Sequence, residues 1–226
     1  MHVELLYHTP DPERAIATAA RLCYAPVGAA ELMETMSEER MRSVLSTIMA
    51  SGHFSTLEHV SYTFAIDGVS RALTHQLVRH RLASFNQQSQ RYVKFKEGVS
   101  VVKPESVRAN EEANAVFDEA IEAATSAYKK LLDAGVPAED ARYLLPNAAE
   151  SKIVVTMNVR ELLHFFSLRC CNRAQWEICE LAHRMLELAR PTAPFVFADA
   201  GAPCVRGACP EGKMTCGNPY PKAVRE

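Results

Sequence analysis

The chain has 226 residues, of which 48% are hydrophobic and 23% charged, proportions typical of a globular protein with one sizeable core. Its 25 lysines and arginines against 27 aspartates and glutamates give a net charge of −2, which excludes a strongly basic nucleic-acid binder or an acidic solvating tail as a description of the whole molecule. No long apolar run and no signal-peptide pattern is present, and the seven cysteines show no regular disulfide spacing. We therefore expect a soluble, cytoplasmic protein with reduced thiols.

Apolar periodicity predicts a chain in which helices outnumber strands. Alternating apolar residues are typical of strands, and the i, i+3, i+4, i+7 spacing is typical of amphipathic helices. Strands are predicted over residues 3–7, 60–66 and 153–156, the second ending at Asp67-Gly68. Helices are predicted over residues 12–22, 38–51, 70–81, 111–134, 159–166 and 176–190, the first with Asp11 as its N-cap.

These elements predict an α+β fold in which helices, including the long amphipathic helix after Asn110, flank a central, mostly antiparallel sheet. We expect one domain over residues 1–199, followed by a tail over residues 200–226 in which Cys, Pro and Gly cluster. Four large side chains are expected in the core: Leu162, Phe165, Phe166 and Trp176.

The most informative segment runs from Gly68 to Lys96, because it holds six lysines and arginines and not one Asp or Glu. Within it, residues 79–92 read RHRLASFNQQSQRY, so that three arginines flank a run of hydroxyls and amides. Guanidinium groups suit phosphate and carboxylate, whereas amides offer the paired donors and acceptors that a base edge needs. The segment therefore indicates a ligand with a phosphate and a base.

A simpler interpretation is that the cations at residues 79–81 complement the dipole at the C-terminus of a helix. Two observations count against it. Arg91 recurs beyond the polar run, and a second polar group precedes the strand at residue 60, made of His53, Ser55, Glu58 and His59.

Residues 79–92 resemble the RHRxxSxNxxSxRY signature of the flavin-dependent thymidylate synthases, with all eight fixed letters matched. Further segments agree in order, over roughly residues 1–199: His53-x-Ser55-x-x-Glu58-His59, Arg142 after Gly135-Val136-Pro137, Asn158-x-Arg160, Leu168-Arg169, and Ala174-Gln175-Trp176-Glu177. The resemblance implies a homotetramer with shared active sites that binds FAD, dUMP, NADPH and methylenetetrahydrofolate and no nucleic acid or membrane.

The implied reaction is the reductive methylation of dUMP at C5. NADPH reduces FAD, the folate supplies the one-carbon unit, and the reduced flavin supplies the hydride. The resemblance assigns these residues to dUMP: Gln76, Arg79, Gln87, Ser89, Gln90, Arg91, Arg142 and Arg169. As the catalytic set it implies Arg169, Ser89 and Arg79, with Arg169 stabilising negative charge on the uracil oxygens.

The same resemblance assigns these residues to FAD: His53, Ser55, Glu58, Arg79, His80, Arg81, Asn86, Asn158, Arg160 and His164. Three of the assigned residues have alternative roles: Asn158 as a helix N-cap only, Arg142 paired with Glu139 or Asp140, and His164 as a core histidine with a satisfied ring nitrogen. The sequence also departs from frequent family choices, because some relatives have Asn at the position of His164 and many have Glu at that of Gln87.

The tail carries Cys204, Cys209 and Cys216, which bind zinc only if a fourth ligand comes from elsewhere. We expect no metal there and free or partly oxidised thiols in a flexible tail, with these three cysteines as the candidate ligands. We also expect none of the cysteines to attack uracil, because Cys170, Cys171 and Cys179 lie in or beside apolar helical stretches where burial raises a thiol pKa.

Two other classes of function compete with the enzyme. A single-strand nucleic-acid binder would use Arg79 to Arg91 on phosphates and stack Phe85 and Tyr92 on bases, but two aromatic residues are few for that role. A basic helix and loop in an interaction protein is the third class. Absorption by a bound flavin distinguishes the enzyme from both.

Overall fold

The structure is a computed structural model that describes residues 1–95 and 98–221, so Lys96 of the basic segment lies outside it. Four strands are present in the described residues: β1 (His2–His8), β2 (Ser61–Ser70), β3 (Ala83–Gln87) and β4 (Glu150–Asn158). The helices are α1 (Pro12–Leu22), α2 (Ala29–Thr35), α3 (Glu38–Ser51), α4 (Arg71–Leu77), α5 (Glu105–Arg108), α6 (Glu111–Asp133), α7 (Ala138–Ala141), α8 (Val159–Arg169) and α9 (Trp176–Ala189). Short 3₁₀ turns cover Phe54–His59, Arg142–Leu144, Arg190–Thr192, Pro203–Val205 and Gly212–Met214.

The four strands form one antiparallel sheet in the order β1-β2-β4-β3. The α+β prediction is therefore confirmed, including the long helix α6 of 23 residues. Across the described part of the chain, no helix combines the length and the apolar composition that a membrane crossing requires.

The chain divides into two compact units, and the division passes through the strands. The first unit holds residues 1–2, 66–79 and 85–154, and the second holds residues 3–65, 80–84 and everything described from residue 155 onward, including the tail.

The core of the second unit is aromatic. Tyr62 and Phe64 of β2, Phe165 and Phe166 of α8, and Phe197 are all fully buried. Tyr62 keeps a polar partner, because its Oη lies 2.7 Å from the Thr192 hydroxyl. Burial nevertheless raises the pKa of Tyr62 to about 12, so the phenol stays neutral and the ring belongs to the core.

Side-chain caps explain where several of the predicted helices begin. Ser37, Ser70, Asn110 and Asn158 each accept a hydrogen bond from a backbone N–H in the first turn of the helix that follows. Such a cap satisfies one of the amide groups that a helix start leaves without a partner. Asp11 was expected to act in the same way but makes no side-chain cap, because its backbone is left-handed with φ of 42°.

Three expectations need correction in and around the basic segment. Strand β2 does not end at Asp67-Gly68 but continues to Ser70, and the following helix ends at Leu77 and not near Arg81. The polar run contains a strand that the sequence analysis missed, β3, whose residues are alternately exposed and half-buried. Periodicity gave only a weak signal for β3, because the strand has five residues and only Ala83 and Phe85 on its half-buried face are apolar.

Two helices are less buried than predicted. Trp176 was expected in the core, but at the first position of α9 it is 44% exposed. Helix α6 has the predicted apolar stripe, yet only Tyr128 is fully buried in it, and Val116 is 62% exposed. The stripe of α6 therefore faces less protein in this subunit than its composition suggests.

Candidate active site

Most residues predicted to bind dUMP lie in the first unit, on one short stretch of chain. Gln76 is in the last turn of α4, Gln87 ends β3, and the loop that follows carries Ser89, Gln90 and Arg91. The Ser89 hydroxyl accepts a hydrogen bond from the Arg91 backbone N–H at 3.2 Å, and the Ser89 carbonyl accepts one from Val93 at 3.0 Å. These bonds fold the loop into a turn that fixes the Ser89 and Arg91 backbones relative to each other.

Gln87 is held by two hydroxyls. Its Nε2 donates to Thr74 Oγ1 at 3.0 Å and to Ser151 Oγ at 2.9 Å. A hydroxyl can donate as well as accept, so Ser151 could donate to a carboxylate at this position, whereas the Thr74 hydroxyl already donates to the Arg71 carbonyl at 3.0 Å. The departure from the frequent Glu is therefore compatible with this environment.

Arg91 and Arg142 share one acidic residue, Glu139. Arg91 Nε donates to the Glu139 carboxylate at 2.7 Å, and Arg142 Nε donates to the Glu139 backbone carbonyl at 3.0 Å. The alternative role of Arg142 is thus partly observed, through a carbonyl and not through an ion pair. The Arg91 and Glu139 side chains are 52% and 46% exposed, so this pair is a weak surface ion pair that an anionic ligand can replace.

Sequence reasoning missed Arg71, which begins α4 in the same unit. Burial lowers the pKa of Arg71 first, and the positive charge of Arg142 lowers it further. Two cations that repel each other here indicate a position suited to an anion. The signal was present in the sequence, because Arg71 belongs to the segment without acids.

The second unit holds most of the residues predicted to bind FAD. His53, Ser55 and Glu58 lie at or in the 3₁₀ turn before β2. Asn158 and Arg160 lie at the start of α8, and His164 lies in its middle. Arg160 Nη1 donates to Glu58 Oε1 at 2.5 Å, which links the turn to the helix. Asn158 Oδ1 accepts from the Glu161 backbone N–H at 2.9 Å, so this residue does act as an N-cap.

His80 lies in this unit as well, between two charged groups. Its ring is 5% exposed; Nδ1 lies 3.0 Å from Glu161 Oε1, and Nε2 accepts from Arg169 Nε at 3.1 Å. Burial lowers the pKa of His80, Arg169 and His164 lower it further, and Glu161 opposes them. His80 therefore connects the predicted flavin residues to Arg169, the predicted catalytic arginine.

His164 does not take the alternative role of a core histidine. The residue is exposed on α8, and its ring meets that of His80 edge to face, with centroids 5.9 Å apart. Arg81 is exposed too, while its neighbour His80 is buried.

Most residues predicted to bind dUMP thus lie in the first unit, and most of those predicted to bind FAD lie in the second. Of the residues predicted for dUMP, only Arg169 lies in the second unit. Of those predicted for FAD, only Arg79 and Asn86 lie in the first.

The tail folds against the turn between α8 and α9, within the second unit. Asn172 Nδ2 donates to the Asn218 carbonyl at 2.8 Å, and Arg173 pairs with Glu211 at 3.1 Å. A cavity of about 250 Å³ is lined by Arg169, Cys171 and the three tail cysteines. Among the described residues, however, no three His, Cys, Asp or Glu side chains are grouped as a metal ion would require.

The internal cysteines behave as structural thiols. Burial raises the pKa of Cys170 to about 12 and also raises that of Cys179. Because the thiolate is the nucleophile, Cys170 is essentially unreactive near neutral pH. The expectation of a raised thiol pKa is thereby confirmed for these two residues.

We predict that Cys170 resists alkylation by iodoacetamide in the native protein at pH 8, because it is buried and protonated. Cys23 and Cys216, which are exposed, should be labelled, and peptide mass spectrometry can assign each site. Labelling in denaturant, where all seven cysteines should react, is the control. Native labelling of Cys170 as fast as that of Cys23 would contradict the prediction.

Comparison with known proteins connects this arrangement to one family. The family model described as thymidylate synthase complementing protein matches residues 4–195. A flavin-dependent thymidylate synthase of Geobacter sulfurreducens is 60% identical over 96% of this chain and 94% of its own length. Proteins with the same name from Clostridium tetani and Nitratidesulfovibrio vulgaris are 48% and 51% identical, over 95% and 97% of this chain and 92% and 95% of their own lengths. The chain belongs to the family of thymidylate synthase complementing proteins.

Proposed function

We propose that this chain is a flavin-dependent thymidylate synthase that converts dUMP to dTMP. Methylenetetrahydrofolate supplies the one-carbon unit, and FAD reduced by NADPH supplies the hydride. The observation that carries the proposal is the 60% identity to a relative of that name over nearly the whole of both chains. Cytoplasmic residence is part of the proposal.

The first unit supports binding of a nucleotide monophosphate. Arg71, Arg91 and Arg142 supply positive charge, and Gln76 and Gln90 supply amides that can pair with a base edge. Gln87 supplies an acceptor oxygen, because its Nε2 already donates twice. Arg91 reaches the phosphate by exchanging the carboxylate of Glu139 for it. This exchange costs little, because an ion pair between solvent-exposed side chains contributes little free energy.

The second unit supports binding of FAD. Exposed donors are available on the 3₁₀ turn, at Arg81 and along α8, and they include the cations Arg81 and Arg160 for a pyrophosphate. Bound and reduced FAD supplies a hydride, so the protein's share of the chemistry is orientation and electrostatics.

The residues of this chain act on the uracil by positioning it and stabilising charge. Arg169 offers a guanidinium to the uracil oxygens, where negative charge develops as C5 becomes nucleophilic. Ser89 orients the nucleotide through hydrogen bonds and does not attack it, since a hydroxyl is a poor nucleophile without an adjacent base. Arg79, exposed just after α4, adds positive charge beside the predicted substrate residues.

Two measurements test the proposed function. Purified protein should absorb near ~450 nm as a bound flavin does, and it should form dTMP from dUMP with NADPH and methylenetetrahydrofolate. Replacing each cysteine by Ser in turn should leave the reaction intact. Protein that takes up no FAD but binds single-stranded RNA would instead support the nucleic-acid alternative.

We predict that Arg91→Ala and Arg81→Ala separate the two ligands. Arg91→Ala should weaken dUMP binding by about tenfold or more, and Arg81→Ala should weaken FAD binding similarly, because each loses a charge-assisted contact. Isothermal titration with dUMP and flavin absorbance measure the two effects. The matched controls are Arg108→Ala and Arg184→Ala, two exposed arginines outside the site that pair with neighbours on their own helices.

Normal binding of both ligands by both variants would contradict these assignments. An effect of equal size from Arg108→Ala would show that net charge alone is responsible.

The proposal includes a homotetramer with active sites completed by more than one subunit. Partly uncovered apolar surface supports it, because Val116 on α6 is 62% exposed and Tyr143 is 84% exposed. We predict that mixing Arg169→Ala with Ser55→Ala protein restores activity that neither variant shows alone, since some sites in the hybrids then contain no altered residue. An active monomer by light scattering, or no recovery after confirmed subunit exchange, would contradict it.

A further inference from the structure

Glu161 is a buried carboxylate to which neither the sequence analysis nor the comparisons assign a role. It is 5% exposed on α8 and makes its hydrogen bond at 3.0 Å to His80, which in turn contacts Arg169. A carboxylate is seldom buried unless a partner compensates the loss of water. The burial of the Glu161 carboxylate therefore needs a structural or functional explanation.

We propose that Glu161 is a positioning residue that acts through His80 to hold the Arg169 guanidinium in the orientation in which it meets the uracil. The inference rests on the proposed function, because that function gives Arg169 its substrate.

Hydrogen-bond directions carry the first step. Arginine stays protonated and its Nε–H only donates, so His80 Nε2 must accept at 3.1 Å. A neutral imidazole that accepts at Nε2 carries its proton on Nδ1, which then donates to Glu161 at 3.0 Å. Glu161 thus selects the one tautomer of His80 that can bind Arg169.

Planarity carries the second step. The guanidinium is flat and rigid, so fixing the direction of its Nε–H bond restricts where its other nitrogens can lie. The His80 ring is itself fixed, since the edge-to-face contact with Phe165 holds it with centroids 4.9 Å apart. Orientation is therefore passed from Glu161 to Arg169 through groups that have little freedom to rotate.

The pH dependence distinguishes positioning from simple packing. Protonated His80 carries hydrogens on both nitrogens and cannot accept from Arg169, so the contact is lost as pH falls through the pKa of His80. Three charged or titratable groups face the His80 ring. Glu161 stabilises its protonated form, whereas Arg169 and His164 destabilise it. Glu161→Gln removes the stabilising charge, so the acid limb of the activity profile should move to lower pH.

The test compares Glu161→Gln with wild type and with Glu180→Gln, an exposed carboxylate on α9 outside the site. We expect kcat for dTMP formation to fall about tenfold or more in Glu161→Gln, because the amide N–H can donate to Nδ1 and so favour the His80 tautomer that cannot accept from Arg169. FAD absorbance should persist, KM for dUMP should change less than kcat, and the acid limb should shift as stated. His80→Gln, which keeps a side-chain acceptor but cannot titrate, should abolish this limb.

Wild-type kcat together with an unmoved acid limb in Glu161→Gln would overturn the proposal. If Glu161→Gln loses FAD, its kinetics no longer test the proposal, and the tautomer of His80 in the wild type tests it instead. The ¹⁵N shifts of His80 should report the Nδ1–H tautomer at pH 7.5. The Nε2–H tautomer or an imidazolium there would also overturn it. Because the ¹⁵N measurement needs no activity, failure of the proposed function and failure of this inference remain distinguishable.

Discussion

The burial of His80 between Glu161 and Arg169 is the constraint on which the arrangement of charged groups in the second unit depends. An imidazole can enter the core only where its two nitrogens find partners, and Glu161 and Arg169 provide them at 3.0 and 3.1 Å. The helix ahead of this residue, α4, ends at Leu77. With His80 turned inward, Arg79 and Arg81 remain on the surface. The two arginines that flank His80 in the signature are therefore exposed.

The sequence predicted the elements whose periodicity and caps agree. Helices α3, α6 and α8 begin where Ser37, Asn110 and Asn158 cap them, because short polar side chains ahead of an apolar stripe satisfy the first amides. The fold class followed from these elements. Motif spacing also drew attention to the right chemistry, although the binding roles themselves remain predictions.

What the sequence could not predict depends on long-range contacts. Strand β3 is five residues long with two apolar side chains, so its own sequence is a weak signal and its pairing with β4 makes it a strand. The pairing of Glu161 with His80 joins residues that are 81 positions apart, and the Arg91 to Glu139 pair spans 48. Trp176 was misjudged because an aromatic residue at the first turn of a helix has fewer neighbours than one in the middle. Residue type alone does not reveal these distances.

The exposed stripe of α6 has a consequence for how this protein is handled. If neighbouring subunits cover the stripe, folding and assembly are linked by mass action. The midpoint of thermal unfolding would then rise with protein concentration, and dilution would destabilise the fold without any change in sequence or buffer. In that case, stability values for variants of this chain would be comparable only when they are measured at the same subunit concentration.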